Sequence, residues 1–239
     1  MKKVHVVYCH PEPKSFVGSM RDTVCHALSE SGWQVTLSDL HASQFNPVAS
    51  AADFGQRERS DHLVYSLEQR HGWQHKTIAK DIAAEVEKIV DAELLVLVFP
   101  LFWYSMPAQL KGWVDRVFLS GTFFGGRRIY DQGGMVGKRA MVVTSLGGQS
   151  HMFGPEAIHG ELNGMLRHLL QGTLGYVGFD VCEPFYAHHV PYVDDQARGA
   201  MLDQLDREMR VVDRRPTLPM PSLEAFDEQF RPRVTKPSY

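Results

Sequence analysis

Cysteine is scarce in this chain. The three present in 239 residues, Cys9, Cys25 and Cys182, make no CxxC pair and leave one over in any disulfide scheme. That excludes a disulfide-stapled scaffold and fits a reducing compartment, and no metal site is expected. Long apolar runs are missing too. No segment approaches the roughly 20 apolar residues a bilayer-spanning helix needs. The opening "MKKVHVVYCHPEPKS" has two lysines, but its apolar run is broken by His5 and ends at Cys9, too short for the core of a secretory leader. Nor does one sign of charge prevail: 25 Lys and Arg face 28 Asp and Glu, a net charge of −3. Nothing there would capture nucleic acid or an anionic membrane. The short basic pairs Arg127-Arg128 and Arg214-Arg215 read as solvated surface. Both common nucleotide loops are absent: no GxGxxG follows the first apolar run and no GxxxxGK[ST] occurs anywhere. A cytoplasmic protein without an integral membrane segment is the expectation.

What is present is an alternation. "VHVVYC" (4–9), rich in β-branched residues and ended by His10-Pro11, predicts a buried strand. Phe16, Met20, Val24, Ala27 and Leu28 then recur at helical spacing until Gly32. "WQVTLSDL" (33–40) predicts a second strand. A helical stripe from Ile78 to Val90 leads into a strand over 94–99, and another from Leu110 to Phe118 follows Pro107, placed where a first-turn proline loses nothing. "RAMVVTSL" (139–146) predicts a fourth strand, followed by a helix around 156–171, a fifth strand in "VGFDVCEPF" and a helix over about 194–211.

Strands alternating with helices imply right-handed crossovers and a mostly parallel sheet. The fold class expected is α/β, a doubly wound five-stranded parallel sheet whose ligands bind outside the carboxyl ends of the strands. That brings together three loops, 10–16, 100–106 and 145–154. Two stretches depart from the minimal pattern. Residues 41–77 form a polar insertion too long for a plain connection. The tail from Arg214 spaces Pro216, Pro219, Pro221, Pro232 and Pro237 among apolar residues, which predicts an extended arm packed on the surface or on a partner subunit. The chain is thus divided into a domain over 1–213 and an arm over 214–239.

Each loop has a bland and a chemical reading. "HPEPKSF" offers His10, Lys14 and Ser15 beside a helix N-terminus, which together suit a phosphate. The same residues suit a helix cap with a solvated lysine, and the turn alone does not choose. "PLFWY" spills large side chains past a strand-ending proline, as an aromatic wall and backbone donors for a flat ring would require. "TSLGGQSHMFG" puts Gly147-Gly148 directly after a strand, where a backbone can approach a ligand closely.

The stretches "HPEPKSF", "FPLFWYSMPAQLKGWVDRVF", "TSLGGQSHMFGPEAIHGELN" and "GFDVCEP", with "SDLHASQFNP" in the insertion, resemble the NAD(P)H:quinone oxidoreductase (DT-diaphorase-like) family of flavoproteins with a flavodoxin-like fold. The similarity runs from Val4 to about Arg210. It implies that His10, Ser15 and Phe16 hold the flavin pyrophosphate and ribityl chain, with Lys14 where the family has a threonine. It implies that Pro100, Leu101, Phe102, Trp103 and Tyr104 run along the isoalloxazine, Phe102 replacing a family glutamine. Thr144, Ser145, Leu146, Gly147 and Gly148 match the opposing loop, and Arg198 matches a residue near the adenine end of FAD. Trp103, Phe124, Met152, His159 and Tyr176 match the substrate pocket, partly supplied by the second subunit of a homodimer.

What the resemblance implies is an NAD(P)H dehydrogenase (quinone). NADH or NADPH would pass a hydride to flavin N5, and a quinone or similar acceptor would then take both electrons. FAD is implied rather than FMN. His159, Tyr104 and the Gly147 backbone are the implied catalytic groups. One departure stands out: the family often pairs a tyrosine with the histidine, and that position is Phe153, which can stack in the cofactor and substrate sites but cannot donate a proton. A rival reading is a flavin-binding regulatory subunit of a membrane transporter, with incidental reductase activity. An electron-transfer flavodoxin is disfavoured, being typically small, strongly acidic and without an aromatic pocket.

Overall fold

The computed structural model describes residues 1–233. Strands β1 (Lys3–Tyr8), β2 (Gln34–Asp39), β3 (Leu94–Pro100), β4 (Arg139–Ser145), β5 (Asp180–Val181) and β6 (Phe185–Ala187) form one parallel sheet. Its order is β2-β1-β3-β4-β5, with β6 also on β4. The chain winds one way from β1 to β2 and the other way from β1 through β3 to β4. The switch therefore falls between β1 and β3, where the crevice of such sheets opens.

Side-chain alternation loads both faces. Val4, Val6 and Tyr8 of β1 and Leu94, Val96 and Val98 of β3 pack with helices α1 (Phe16–Glu30) and α7 (Asp195–Arg210). Leu95, Leu97 and Phe99 turn the other way, toward helices α3 (Lys80–Asp91) and α4 (Ala108–Val117). All seven residues of β3 are buried, as a central parallel strand covered on both faces requires.

The 41–77 insertion is folded onto α4, with a helix α2 (Tyr65–Gln74) of its own. Its anchor is Arg116 of α4, only 3% exposed. The guanidinium donates to Asp53 at 2.8 Å, to Asp81 at 2.7 Å and to the Asn46 carbonyl at 2.9 Å. A Cβ at Gly112 would lie 2.1 Å from the Pro47 carbonyl oxygen, so only glycine lets the insertion pass this close to α4.

Two expectations need correction. The single fifth strand is two short pieces, β5 and β6, both on β4. Pro184 separates them because it has no N–H to give the ladder. The helix expected over 156–171 starts later, as short pieces α5 (Leu162–Met165) and α6 (Arg167–Leu169) running into a π-helical turn, Leu170–Gly175. Gly154 and Gly160, at φ of 157° and 72°, bend the preceding residues into a loop. The described part of the arm lies along its own chain. The Leu218 N–H donates to the Val181 carbonyl at 2.8 Å and the Glu183 N–H to the Pro216 carbonyl at 2.9 Å, which covers the sheet edge that β5 would otherwise expose. Residues 234–239 of the expected arm, Pro237 among them, lie outside the described residues.

Candidate active site

The three loops do converge at the carboxyl ends of β1, β3 and β4, and each is shaped by its own backbone. After β1, His10 Nδ1 lies 2.9 Å from the Glu12 backbone nitrogen and 3.0 Å from the Glu12 carbonyl oxygen, so the ring is held against its own turn. Burial pushes the His10 imidazole below its ordinary value. Ser15 caps α1, its Oγ accepting the Gly18 N–H at 3.1 Å. Phe16 and Val17 begin that helix, so their N–H groups have no intrahelical acceptor, and both residues line a cavity. The cap and the anion-site readings of this turn are compatible: the capped end is the end that faces the cavity.

After β3, the Leu101 N–H donates to the Ser145 carbonyl at 2.8 Å, tying the second loop to the third. Phe102 and Ser105 then exchange two backbone hydrogen bonds, each 2.9 Å long. The two residues between them, Trp103 and Tyr104, have φ of 51° and 55°. Two left-handed residues in a two-residue turn is a geometry normally given to Asn-Gly. Bulky aromatics there store strain, and such strain gathers at functional sites. Trp103 is 98% exposed, so it is no core residue.

After β4, the chain is pinned from one side by segment 187–190. The Leu146 N–H donates to the Ala187 carbonyl at 2.9 Å, the Val190 N–H to the Leu146 carbonyl at 3.2 Å and the His189 N–H to the Gly148 carbonyl at 3.0 Å. The N–H groups of Trp103, Tyr104, Gly147 and Gly148 have no backbone acceptor among the described residues. Beneath them the Thr144 hydroxyl is wholly buried and has no hydrogen-bond partner among the described residues.

These loops enclose two adjoining cavities that share Leu101, Leu146 and Gly147. The larger, about 480 Å³, is lined on one side by Trp103 and Tyr104 and on the other by Gly148, Met152, Phe153 and His159. The smaller, about 320 Å³, runs past His10, Ser15 and Phe16 beside Pro100, Phe102 and Ser145, ending at Val190 and Pro191. The larger has no Asp, Glu, Lys or Arg in its wall. His159 lies with its ring centre 5.9 Å from that of Tyr104 and 5.2 Å from that of Phe153. An unspent row of backbone donors, an orphaned buried hydroxyl and an aromatic wall fit a flat heteroaromatic ring with a polar edge. The helix N-terminus with His10 fits a phosphate attached to that ring.

Not every expected residue comes to this place. Lys14 is exposed and lines neither cavity. Arg198 stands one step back, its guanidinium donating to the Val190 carbonyl at 3.2 Å. Phe124 and Tyr176 are absent from both walls. They pack on each other at 5.7 Å, and Tyr176 packs on Tyr130 at 5.6 Å, in a separate aromatic group of the same chain. Sequence reasoning missed Gln149 and His189 in the larger wall and His188, which packs on Phe153 at 5.7 Å and has its Nδ1 buried without a hydrogen-bond partner among the described residues. The doubled histidine of "AHHVP" was the signal available.

A family model for the flavodoxin-like fold matches residues 2–209. The ribosyldihydronicotinamide dehydrogenase [quinone] of Mus musculus is 37% identical over 202 residues, covering 84% of this chain and 87% of the mouse protein. The NAD(P)H dehydrogenase [quinone] 1 of Rattus norvegicus is 30% identical over 232 residues, covering 97% and 85%. A solved structure from Klebsiella pneumoniae, provisionally named a quinone reductase, superposes with a TM-score of 0.87 at 29% identity, covering 97% of this chain and 90% of its own.

Proposed function

The chain belongs to the NAD(P)H dehydrogenase (quinone) family of flavodoxin-like proteins, and from that premise we propose that it is an FAD-dependent NAD(P)H:quinone oxidoreductase. The observation that carries the reading is the row of uncommitted N–H groups at Trp103, Tyr104, Gly147 and Gly148, set against an aromatic wall at the switch point of the sheet. When bound, the flavin supplies the two-electron redox chemistry that no side chain here can perform.

The chain's own residues bind, orient and shield. His10 and the first turn of α1 hold the phosphate end in the smaller cavity. Leu101, Leu146 and Gly147, shared by both cavities, set the plane between a ring on one side and a ligand on the other. Phe102, Trp103 and Tyr104 make the wall of that slot, and the Gly147 and Gly148 N–H groups stabilise negative charge at its polar edge. Met152 and Phe153 exclude water from the outer face, where a quinone or a nicotinamide would stack in turn. A wall without formal charge suits flat neutral acceptors. His159, His189 and the Tyr104 hydroxyl are the groups of that wall able to hold a proton beside the ligand, Phe153 being unable to.

We assign FAD over FMN because the smaller cavity ends at Val190, whose carbonyl Arg198 holds. That places a cation beyond the phosphate end, where an adenylate would extend. We assign a homodimer because Trp103 (98%) and Ile158 (82%) stand bare and Phe124 and Tyr176 lie away from both cavities. NADH or NADPH is the assigned donor. Reconstituting the purified protein with FAD and FMN in competition, then identifying the retained flavin by chromatography, tests the cofactor assignment. FAD should be retained at equimolar FMN, and FMN alone would overturn it.

A further inference from the structure

His189 lies outside every motif that pointed to the site, yet two of its groups grip the Gly-Gly loop. Its Nδ1 is 2.9 Å from the Gly147 carbonyl oxygen. A carbonyl can only accept, so Nδ1 carries the proton and Nε2 is the ring's acceptor, which the Gln149 side-chain nitrogen approaches at 3.5 Å. Its backbone N–H holds the next carbonyl, that of Gly148, at 3.0 Å. To make both bonds the residue sits in the left-handed region, at φ 57° and ψ 23°. Few non-glycine residues adopt that conformation, histidine and asparagine more readily than most, and a β-branched residue hardly at all.

The consequence follows from peptide planarity. In a trans peptide the C=O of one residue and the N–H of the next point to opposite sides. The Gly147 carbonyl and the Gly148 N–H share one such plane. Fixing the first on the His189 ring therefore aims the second away from segment 187–190. The Leu146 carbonyl, held by the Val190 N–H, fixes the Gly147 N–H in the same way. One of the two donors is thus set by backbone alone, and the other depends on a side chain. Gly148 has no Cβ to stiffen it, so without the imidazole the plane joining Gly147 to Gly148 loses its direct anchor and is held only through the carbonyls on either side of it.

We infer that His189 is a positioning residue of this site, its Nδ1–H anchoring the Gly147 carbonyl so that the Gly148 N–H stays aimed at the ligand's electron-rich edge. The inference rests on the flavin reading, and its test separates the two. His189→Gly keeps the left-handed backbone and removes the ring. His189→Leu keeps bulk without a donor. His189→Asn keeps a short N–H donor and tolerates the same φ. The flavin-reconstituted proteins are compared by dissociation constant and by the two-electron midpoint potential of the bound flavin, read spectrophotometrically.

Loss of an aimed donor weakens the reduced, more negative state more than the oxidised one. His189→Gly and His189→Leu should lose about tenfold in that preference, a potential about 30 mV more negative, and His189→Asn should recover most of it. A merely structural role would lower the unfolding midpoint and leave the potential where it was. If His189→Gly does not fold, His189→Leu against His189→Asn decides alone. Equal potentials in all variants that bind flavin would overturn the inference and leave the flavin reading standing. If the wild-type protein takes up neither FAD nor FMN, the flavin reading falls and the inference with it.

Discussion

Gly148→Ala is the smallest change that would test the site's geometry. The backbone there lies outside the left-handed region, so alanine can adopt it without strain and keep the N–H donor. What it cannot do is find room. The new Cβ would stand 2.7 Å from Phe153 Cε2 and 2.8 Å from Phe153 Cζ. Restoring ordinary carbon contact at ~3.5 Å requires the ring to retreat by roughly 0.8 Å. Phe153 has little freedom to do so, since its centroid lies 5.2 Å from His159 on one flank and 5.7 Å from His188 on another. Overpacking of this kind costs about 1–3 kcal/mol, and a wall displaced into the cavity converts roughly 1.4 kcal/mol of it into a tenfold weaker flavin affinity. The decisive arm is a double-mutant cycle. In a Phe153→Ala background the clash is gone, so adding Gly148→Ala should change affinity by less than about 0.5 kcal/mol, leaving an interaction energy of about 1–1.5 kcal/mol. Flavin-fluorescence titration of the four apoproteins measures it. If Gly148→Ala weakens binding equally in both backgrounds, Phe153 does not bear on Gly148 and the described wall is wrong.

The other expectations divide between chemistry and stability. Trp103→Ala removes a side chain 98% exposed, so urea unfolding should move by no more than about 0.5 kcal/mol while the quinone KM rises. A large loss of stability would put Trp103 in the core. His159→Gln should slow reduction of the bound flavin by roughly tenfold in stopped-flow absorbance, below the 10²–10⁴-fold of a full general acid, because backbone donors already serve the polar edge. Phe153→Tyr should leave that rate equal or faster, and no change in either variant would remove the proton-handling role. Arg116→Met leaves the Asp53 carboxylate, 4% exposed, without its cation and should destabilise the protein by about 3–5 kcal/mol in chemical denaturation. At Glu85 burial pushes the carboxyl up, but the His5 imidazole 3.5 Å away and hydrogen bonds from Lys88 and Ser38 outweigh it and hold the group at about 2, below its ordinary 4.5. A depressed carboxylate stabilises above its unfolded value and loses that contribution as pH falls toward the folded one. Urea unfolding should therefore show about 2 kcal/mol of acid loss by pH 3 that Glu85→Gln abolishes.

Where the sequence was readable, a short-range physical signal was strong. The runs 4–8, 94–100 and 139–145 are β-branched and apolar because both faces of a parallel strand are covered, and each is a strand. Convergence of the three loops followed from that alternation. The failures share a cause in long-range contacts. Ala157, Ile158 and Leu162 look helical by spacing, but Gly154 and Gly160 and the packing of 162–175 make a loop and a π-helical turn. The fifth strand divides at Pro184, which the arm beyond Arg215 covers from more than 30 residues away in sequence. His189 was invisible for the same reason: its partner, Gly147, is 42 residues earlier, and a histidine in a polar turn has no periodicity to betray it. Phe124 and Tyr176 pack on each other at 5.7 Å and line neither cavity, a placement that no local signal around either residue announces.

The most direct test of the central claim is anaerobic titration of the FAD-reconstituted protein with NADH, and separately with NADPH, followed by one equivalent of a 1,4-naphthoquinone. At least one nicotinamide should bleach the flavin band in a single two-electron step, and the quinone should restore it fully without a build-up of one-electron species. Flavin that stays oxidised under both nicotinamides, or that is reduced but not reoxidised by the quinone, would contradict it.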